Sequence, residues 1–123
     1  MKKLILALSI LFVSLPTAAH AASSVTLTAP STRHLDGTFF NDRLATDLSA
    51  TGRLGALVYN GTSQVSTWRI DPALIEDVIA MSQGYKVNET TEGTGKDIAS
   101  AWLLQLKRVI PGKNIEAIVY GNP

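Results

Sequence analysis

Hydrophobic and polar positions along this chain follow two different periods, and the switches between them mark out its elements. Ser24 to Ala29, SVTLTA, alternates and is β-branched, the period-two pattern of a strand. Pro30 ends it, because a ring nitrogen cannot donate to a ladder. Ser31 to Phe40 has no periodicity and holds the turn pair Asp36-Gly37. Asn41 then reads as the N-cap of a short helix carrying Leu44 and Leu48, one turn apart. A second short helix, Arg53 to Tyr59, puts Leu54, Leu57 and Val58 on one side and stops at Asn60-Gly61.

Val65 to Ile70, rich in Val, Thr, Trp and Ile, predicts the next strand. Behind Asp71-Pro72 the spacing of Leu74, Ile75, Val78 and Ile79 gives a helix with one apolar face, leaving Glu76 and Asp77 toward solvent. Gln83 to Gly95 is polar and glycine-containing, the composition of an exposed loop. Thr94 and Asp97 have capping-box spacing before the longest helix, Lys96 to Ile110. Its stripe is Ile98, Trp102, Leu106 and Val109; Lys107 and Arg108 suit the negative end of the helix dipole, and Pro111-Gly112 stops it. Ile115 to Tyr120, IEAIVY, is nearly all apolar, as in a parallel strand buried on both faces.

The order β, α, α, β, α, α, β predicts an α/β fold: a short parallel sheet of about three strands with right-handed helical crossovers. The last residues, Tyr120-Gly121-Asn122-Pro123, repeat the strand-cap-proline junction of Ile70-Asp71-Pro72 without a helix behind it. The expectation is therefore a single, partial α/β domain over residues 22–123.

Ahead of that domain lies the pattern of a secretory signal. Lys2 and Lys3 precede an apolar run from Leu4 to Leu15, Pro16 breaks it, and Ala19-His20-Ala21 fits the small-residue cleavage pattern. The run is short for a hydrocarbon core of about 30 Å, so residues 1–21 read as a signal cleaved near Ala21, and the protein as extracytoplasmic with no membrane span afterwards. Without Lys2 and Lys3, nine of the eleven basic side chains remain against ten acidic ones, a net charge of −1. The charge balance thus carries no footprint for nucleic acid. Cysteine is absent, which leaves packing as the source of stability.

Three segments carry a family resemblance: HLDGTFFNDRLATDLSATGRLGALV from His34, WRIDPALIEDVIAMSQGY from Trp68, and GTGKDIASAWLLQLKRVIPGKNIEAIVYGNP from Gly93. In this order and spacing, over roughly His34 to Pro123, they resemble a family of large, secreted, cell-envelope-associated actinobacterial proteins of unknown function. The resemblance implies that these residues form the first βα units of a barrel-like domain. Where that family more often has Tyr-Gly-Asp-Pro after the last strand, this chain has Asn122. It implies architecture and compartment, and no reaction.

Candidate chemistry is sparse. Ligands of parallel α/β folds bind at the carboxyl ends of the strands, and the residues expected there are His34, Asp71, Tyr120 and Asn122. Asp71 is the one acid at a strand end, and the cap role competes with an acid/base role there. A polysaccharide hydrolase needs a second carboxyl at roughly 5–9.5 Å. His34-Leu35-Asp36 is a lone His-x-Asp, too few ligands for a metal centre, and no cofactor fingerprint is present. Gly93-Thr94-Gly95-Lys96 matches the end of a phosphate-binding loop but follows a polar segment instead of a strand. Trp102 lies on a core stripe, while Trp68 has no assigned face. Asn60 and Asn88 open glycosylation-type sequons, set aside on the bacterial character of the signal.

Three functions fit: a non-catalytic or truncated envelope protein, an enzyme on cell-wall polysaccharide using Asp71, or a module binding carbohydrate or protein through the Gln83–Gly95 loop. The partners these imply are a cell-wall polysaccharide or an envelope protein.

Overall fold

A computed structural model describes residues 23–119. The expected signal segment over residues 1–21, Tyr120 and Asn122 lie outside the described residues. Ser24–Leu27 forms β1, Arg43–Leu48 α1, Arg53–Tyr59 α2, Thr67–Ile70 β2, Pro72–Ser82 α3, Lys86–Val87 β3, Thr91–Glu92 β4, Lys96–Val109 α4 and Asn114–Ala117 β5. A 3₁₀ turn over Thr62–Gln64 leads into β2.

The three-stranded sheet is parallel throughout, in the order β1-β2-β5. Register pairs Val25 with Trp68 and Leu27 with Ile70, and pairs Trp68 with Ile115 and Ile70 with Ala117. Side chains alternate across a strand, so these residues share one face. Leu27, Trp68 and Ile70 on that face join one core with Leu44, Leu48, Leu54, Val58, Leu74, Val78, Met81, Trp102 and Leu106 from the helices. Ser24, Thr26, Thr67, Arg69, Asn114 and Glu116 share the other face, where Arg69 Nε lies 3.4 Å from Glu116 Oε1. The α/β class and the helical crossovers follow the sequence pattern closely.

Two glycines let α1 and α2 fold back on each other. A Cβ on Gly52 would overlap the Thr46 carbonyl oxygen, and one on Gly55 that of Ser49. No side chain fits either gap.

Five expectations change. The strand IEAIVY is not buried on both faces: β5 is a sheet edge, exposed along its length, with Ile115 half exposed. Its place follows from the crossover, which adds it beside β2 on the side away from β1. The polar Gln83–Gly95 stretch is not an open loop but contains the β3–β4 hairpin, with Asn88 in the left-handed region at φ 59°. The aperiodic segment before α1 is pinned to that hairpin, since the Phe39 amide bonds to the Lys86 carbonyl at 2.9 Å and Phe39 bridges Val87.

Asp77 does not face solvent. It is buried, with Oδ1 3.0 Å from Arg33 Nε and Oδ2 accepting from the Ser31 hydroxyl at 3.0 Å, whereas Glu76 is exposed. A wide apolar face on α3 meets a chain segment that brings its own cation. The caps move as well: α4 starts from Gly95 and α1 from Asp42, neither with a side-chain cap bond. Asn41 Oδ1 accepts instead from the Arg43 amide at 3.0 Å.

Candidate functional site

Asp71 ends β2 at its carboxyl edge, and Pro72 sets the geometry of the helix start. Proline at the first helical position has no amide to satisfy, and the Asp71 side chain takes the next one: Oδ1 accepts from the Ala73 amide at 2.9 Å. Oδ2 accepts from the Thr28 hydroxyl at 3.3 Å, and the Asp71 amide donates to the Leu27 carbonyl at 3.0 Å. Arg53 Nη2 donates to the Thr28 carbonyl at 2.9 Å. With 3% of its surface exposed, Asp71 joins two strand ends to a helix start. Its carboxylate oxygens are occupied as acceptors in a structural joint.

His34 does not share that face. The chain enters a tight turn there, with the His34 amide bonded to the Thr38 carbonyl at 2.7 Å and the Gly37 amide to the His34 carbonyl at 3.0 Å. Gly37 holds φ at 96°, which the absence of a Cβ permits. The imidazole packs on Phe40, with ring centroids 5.0 Å apart. This turn and the β3–β4 tip enclose an open groove lined by His34, Leu35, Asp36, Thr38, Asn88, Glu89 and Thr90. The hairpin follows the C-terminal end of α3, whereas Asp71 caps its N-terminal end. The carboxyl-end cluster expected from the fold class thus divides: Asp71 stays at the strand ends, and His34 joins the hairpin.

The groove has two carboxylates, an imidazole, an amide and two hydroxyls. Asp36 Oδ1 accepts from the Thr38 amide at 2.9 Å and from its hydroxyl at 2.7 Å. Those bonds, the amide first, hold its carboxyl below the usual range, with His34 adding to the effect. Among the described residues no three His, Asp or Glu side chains converge as a metal site. The arrangement offers hydrogen-bond donors and acceptors around the apolar surface of Leu35, which stands fully exposed. Asn88, Glu89 and Thr90 belong to the polar stretch whose composition suggests a binding loop. Sequence alone does not connect that stretch to the His34 turn, because the two lie far apart along the chain. The one local sign is an asparagine between Lys86-Val87 and Thr91-Glu92, a residue suited to a left-handed turn position.

Gly93-Thr94-Gly95-Lys96 has a different task. A Cβ on Gly93 would overlap the Tyr85 ring, and one on Gly95 would lie 2.6 Å from Ala45 Cβ. Both glycines admit Tyr85, whose hydroxyl donates to Asp42 Oδ1 and accepts from the Gly95 amide at 2.8 Å. The Thr94 amide and hydroxyl complete the cluster on Asp42 Oδ2, at 3.0 and 2.7 Å. Thr94 therefore serves Asp42 and not a capping box. The phosphate-loop likeness is a packing motif.

Both tryptophans are in the core with no exposed surface. Trp102 Nε1 donates to the Leu54 carbonyl at 3.0 Å, while Trp68 Nε1 has no hydrogen-bond partner among the described residues. Neither presents a face for stacking sugars. Among the described residues no helix is long and apolar enough to cross a membrane. No protein family, curated protein or solved structure matches this chain.

Proposed function

We propose that this is an exported, envelope-associated α/β protein that binds cell-wall polysaccharide without transforming it. The binding surface is the groove between the His34–Thr38 turn and the Asn88–Thr90 hairpin tip. The observation that carries this reading is the convergence there of polar side chains from two loops, a layout suited to the hydroxyl groups of a glycan. Binding sites are concave and combine apolar surface with a few oriented polar groups. Leu35 supplies the first, for the C–H face of a sugar ring, and Asn88, Glu89 and Thr90 the second.

Two further points support the reading. Asp71, the acid that a hydrolase would use, is engaged in tying β1 and β2 to α3. The Lys2-Lys3 start, apolar run and Ala19-His20-Ala21 at the N-terminus support export. The same reading takes the sheet as part of a barrel-like wall, with apolar residues toward the helices and the Arg69–Glu116 pair on the inner face.

Co-sedimentation of the full chain with isolated cell-wall polysaccharide tests the proposal. His34→Ala and Asn88→Gly should each weaken binding about tenfold, equivalent to about 1.4 kcal/mol, and Asp71→Asn should not. Release of reducing ends that Asp71→Asn abolishes would favour the hydrolase instead. Equal binding by all variants would remove the groove from consideration.

A further inference from the structure

The charges around the groove narrow the kind of glycan it suits. Two carboxylates line it, Asp36 from the turn and Glu89 from the hairpin tip, with one imidazole and no lysine or arginine. The two cations next to these loops along the chain are engaged elsewhere. Arg33 Nε lies 3.0 Å from Asp77 Oδ1, and Lys86 Nζ lies 2.7 Å from Glu92 Oε2. The groove has a volume of about 750 Å³, within the range of small-ligand sites.

Neither carboxylate is used up by the fold. Thr38 engages Asp36 through Oδ1 alone, with its amide at 2.9 Å and its hydroxyl at 2.7 Å. Among the described residues no hydrogen bond or ion pair reaches Asp36 Oδ2 or the Glu89 carboxylate. The buried acids behave differently: in both Asp71 and Asp77 each carboxylate oxygen has a partner. The Thr38 bonds also favour the ionised form of Asp36, so its charge is present at neutral pH.

A neutral glycan laid over these two groups would displace water from their charges and return hydroxyl groups only. An ammonium returns the opposite charge and three donors, and hydrogen bonds between ionised partners are the stronger kind. Building on the polysaccharide-binding reading of the groove, we infer that it selects amino-sugar units whose amine is free, held as ammonium by Asp36 and Glu89. Leu35 receives the C–H face of the ring, and Asn88 and Thr90 its hydroxyl groups. Acetylation of the amine removes the charge and with it the preference.

Titration calorimetry of the full chain at neutral pH tests this, with a glucosamine oligomer and its fully N-acetylated counterpart of the same length. Two exposed charge pairs together correspond to about a tenfold preference for the free amine, and that preference should fade as salt is raised. Asp36→Asn keeps an Oδ1 acceptor for Thr38, and Glu89→Gln changes an exposed side chain. Both variants should therefore retain the melting temperature, and each should lower the preference about threefold. Equal binding of the two oligomers would overturn the inference and leave polysaccharide binding standing, whereas binding of neither would overturn both. A preference that survives the two substitutions combined would take the selection away from this groove. A lysine peptide of matched length that binds as tightly as the glucosamine oligomer would overturn the sugar assignment, since the groove would then read charge alone.

Discussion

The Tyr85 hydroxyl sits between the Asp42 carboxylate, to which it donates, and the Gly95 amide, from which it accepts. One phenol thus joins the start of α1 to the start of α4, neither of which has a side-chain cap of its own. Tyr85→Phe keeps the ring against Phe39 but leaves an amide and a carboxylate oxygen without that partner. Abandoning buried polar groups costs about 1–3 kcal/mol, and chemical denaturation should show a loss of that size. Gly93→Ala should cost a similar amount for a steric reason, because its Cβ would overlap the same ring.

The pair also sets where pH acts. Burial disfavours the Asp42 charge, but the bonds from Tyr85 and Thr94 outweigh it, so its folded pKa lies below the ordinary 3.8. Its contribution is complete above that value and disappears as pH falls through the lower folded value. Tyr85 moves the other way: burial first, and then its bond to Asp42, raise it well above 10.0. Its contribution is complete below 10.0 and is lost as pH rises through the raised value. Melting temperature should therefore owe no pH dependence to this pair between about pH 5 and 9. Asp42→Asn should flatten the acid limb, and Tyr85→Phe the alkaline one, in melts recorded across the full range.

Asn88 serves both as a turn residue and as a groove residue, and two substitutions separate the roles. Glycine adopts a φ near 59° freely, so Asn88→Gly should leave the melting temperature within a degree or two while weakening polysaccharide binding. Asn88→Val cannot adopt that conformation without strain of about 1–3 kcal/mol. It should lower both stability and binding. Equal effects of the two on binding, with stability unchanged, would mean that the turn imposes no strain at this position.

The large elements are legible in the sequence because each is a local pattern. The α4 stripe Ile98-Trp102-Leu106 and the strand TWRI have periods that neighbouring residues alone reveal. The features that sequence hides depend on residues far apart. Tyr85 and Thr94 meet Asp42 across 43 and 52 positions, and Arg33 meets Asp77 from outside its helix. The β5 run misleads for a related reason: apolar composition suits a central strand, but crossover topology decides which strand lies at the edge. Fold class alone assigns His34 to the strand ends, while Phe39 holds its turn beside the β3–β4 hairpin.

Asp71 and Asp77, both on or next to α3, should differ in what they cost to lose. Asp71→Ala removes a helix cap, worth about 0.5–2 kcal/mol. Arg33→Ala leaves the buried Asp77 carboxylate with the Ser31 hydroxyl but no cation. Breaking a fully buried pair costs about 3–5 kcal/mol, and Arg33, with 31% of its side chain exposed, places this one lower, at about 1–3 kcal/mol. Arg33→Ala and Asp77→Ala together should cost less than the sum of the two. A double-mutant cycle reads that coupling directly, and additive losses would show that the pair contributes nothing.

The two core tryptophans offer a controlled comparison, since both are fully buried and only one uses its N–H. Trp→Phe removes similar volume at either site, so the packing loss is similar. At Trp102 it also removes the bond to the Leu54 carbonyl, worth about 0.5–1.5 kcal/mol net. At Trp68 it removes an N–H that is buried without a partner among the described residues, which relieves a desolvation cost. Trp102→Phe should therefore destabilise by at least about 1 kcal/mol more than Trp68→Phe. Urea unfolding of the two variants measures the difference, and equal losses would show that the Leu54 bond adds nothing to the anchoring of α4 on α2.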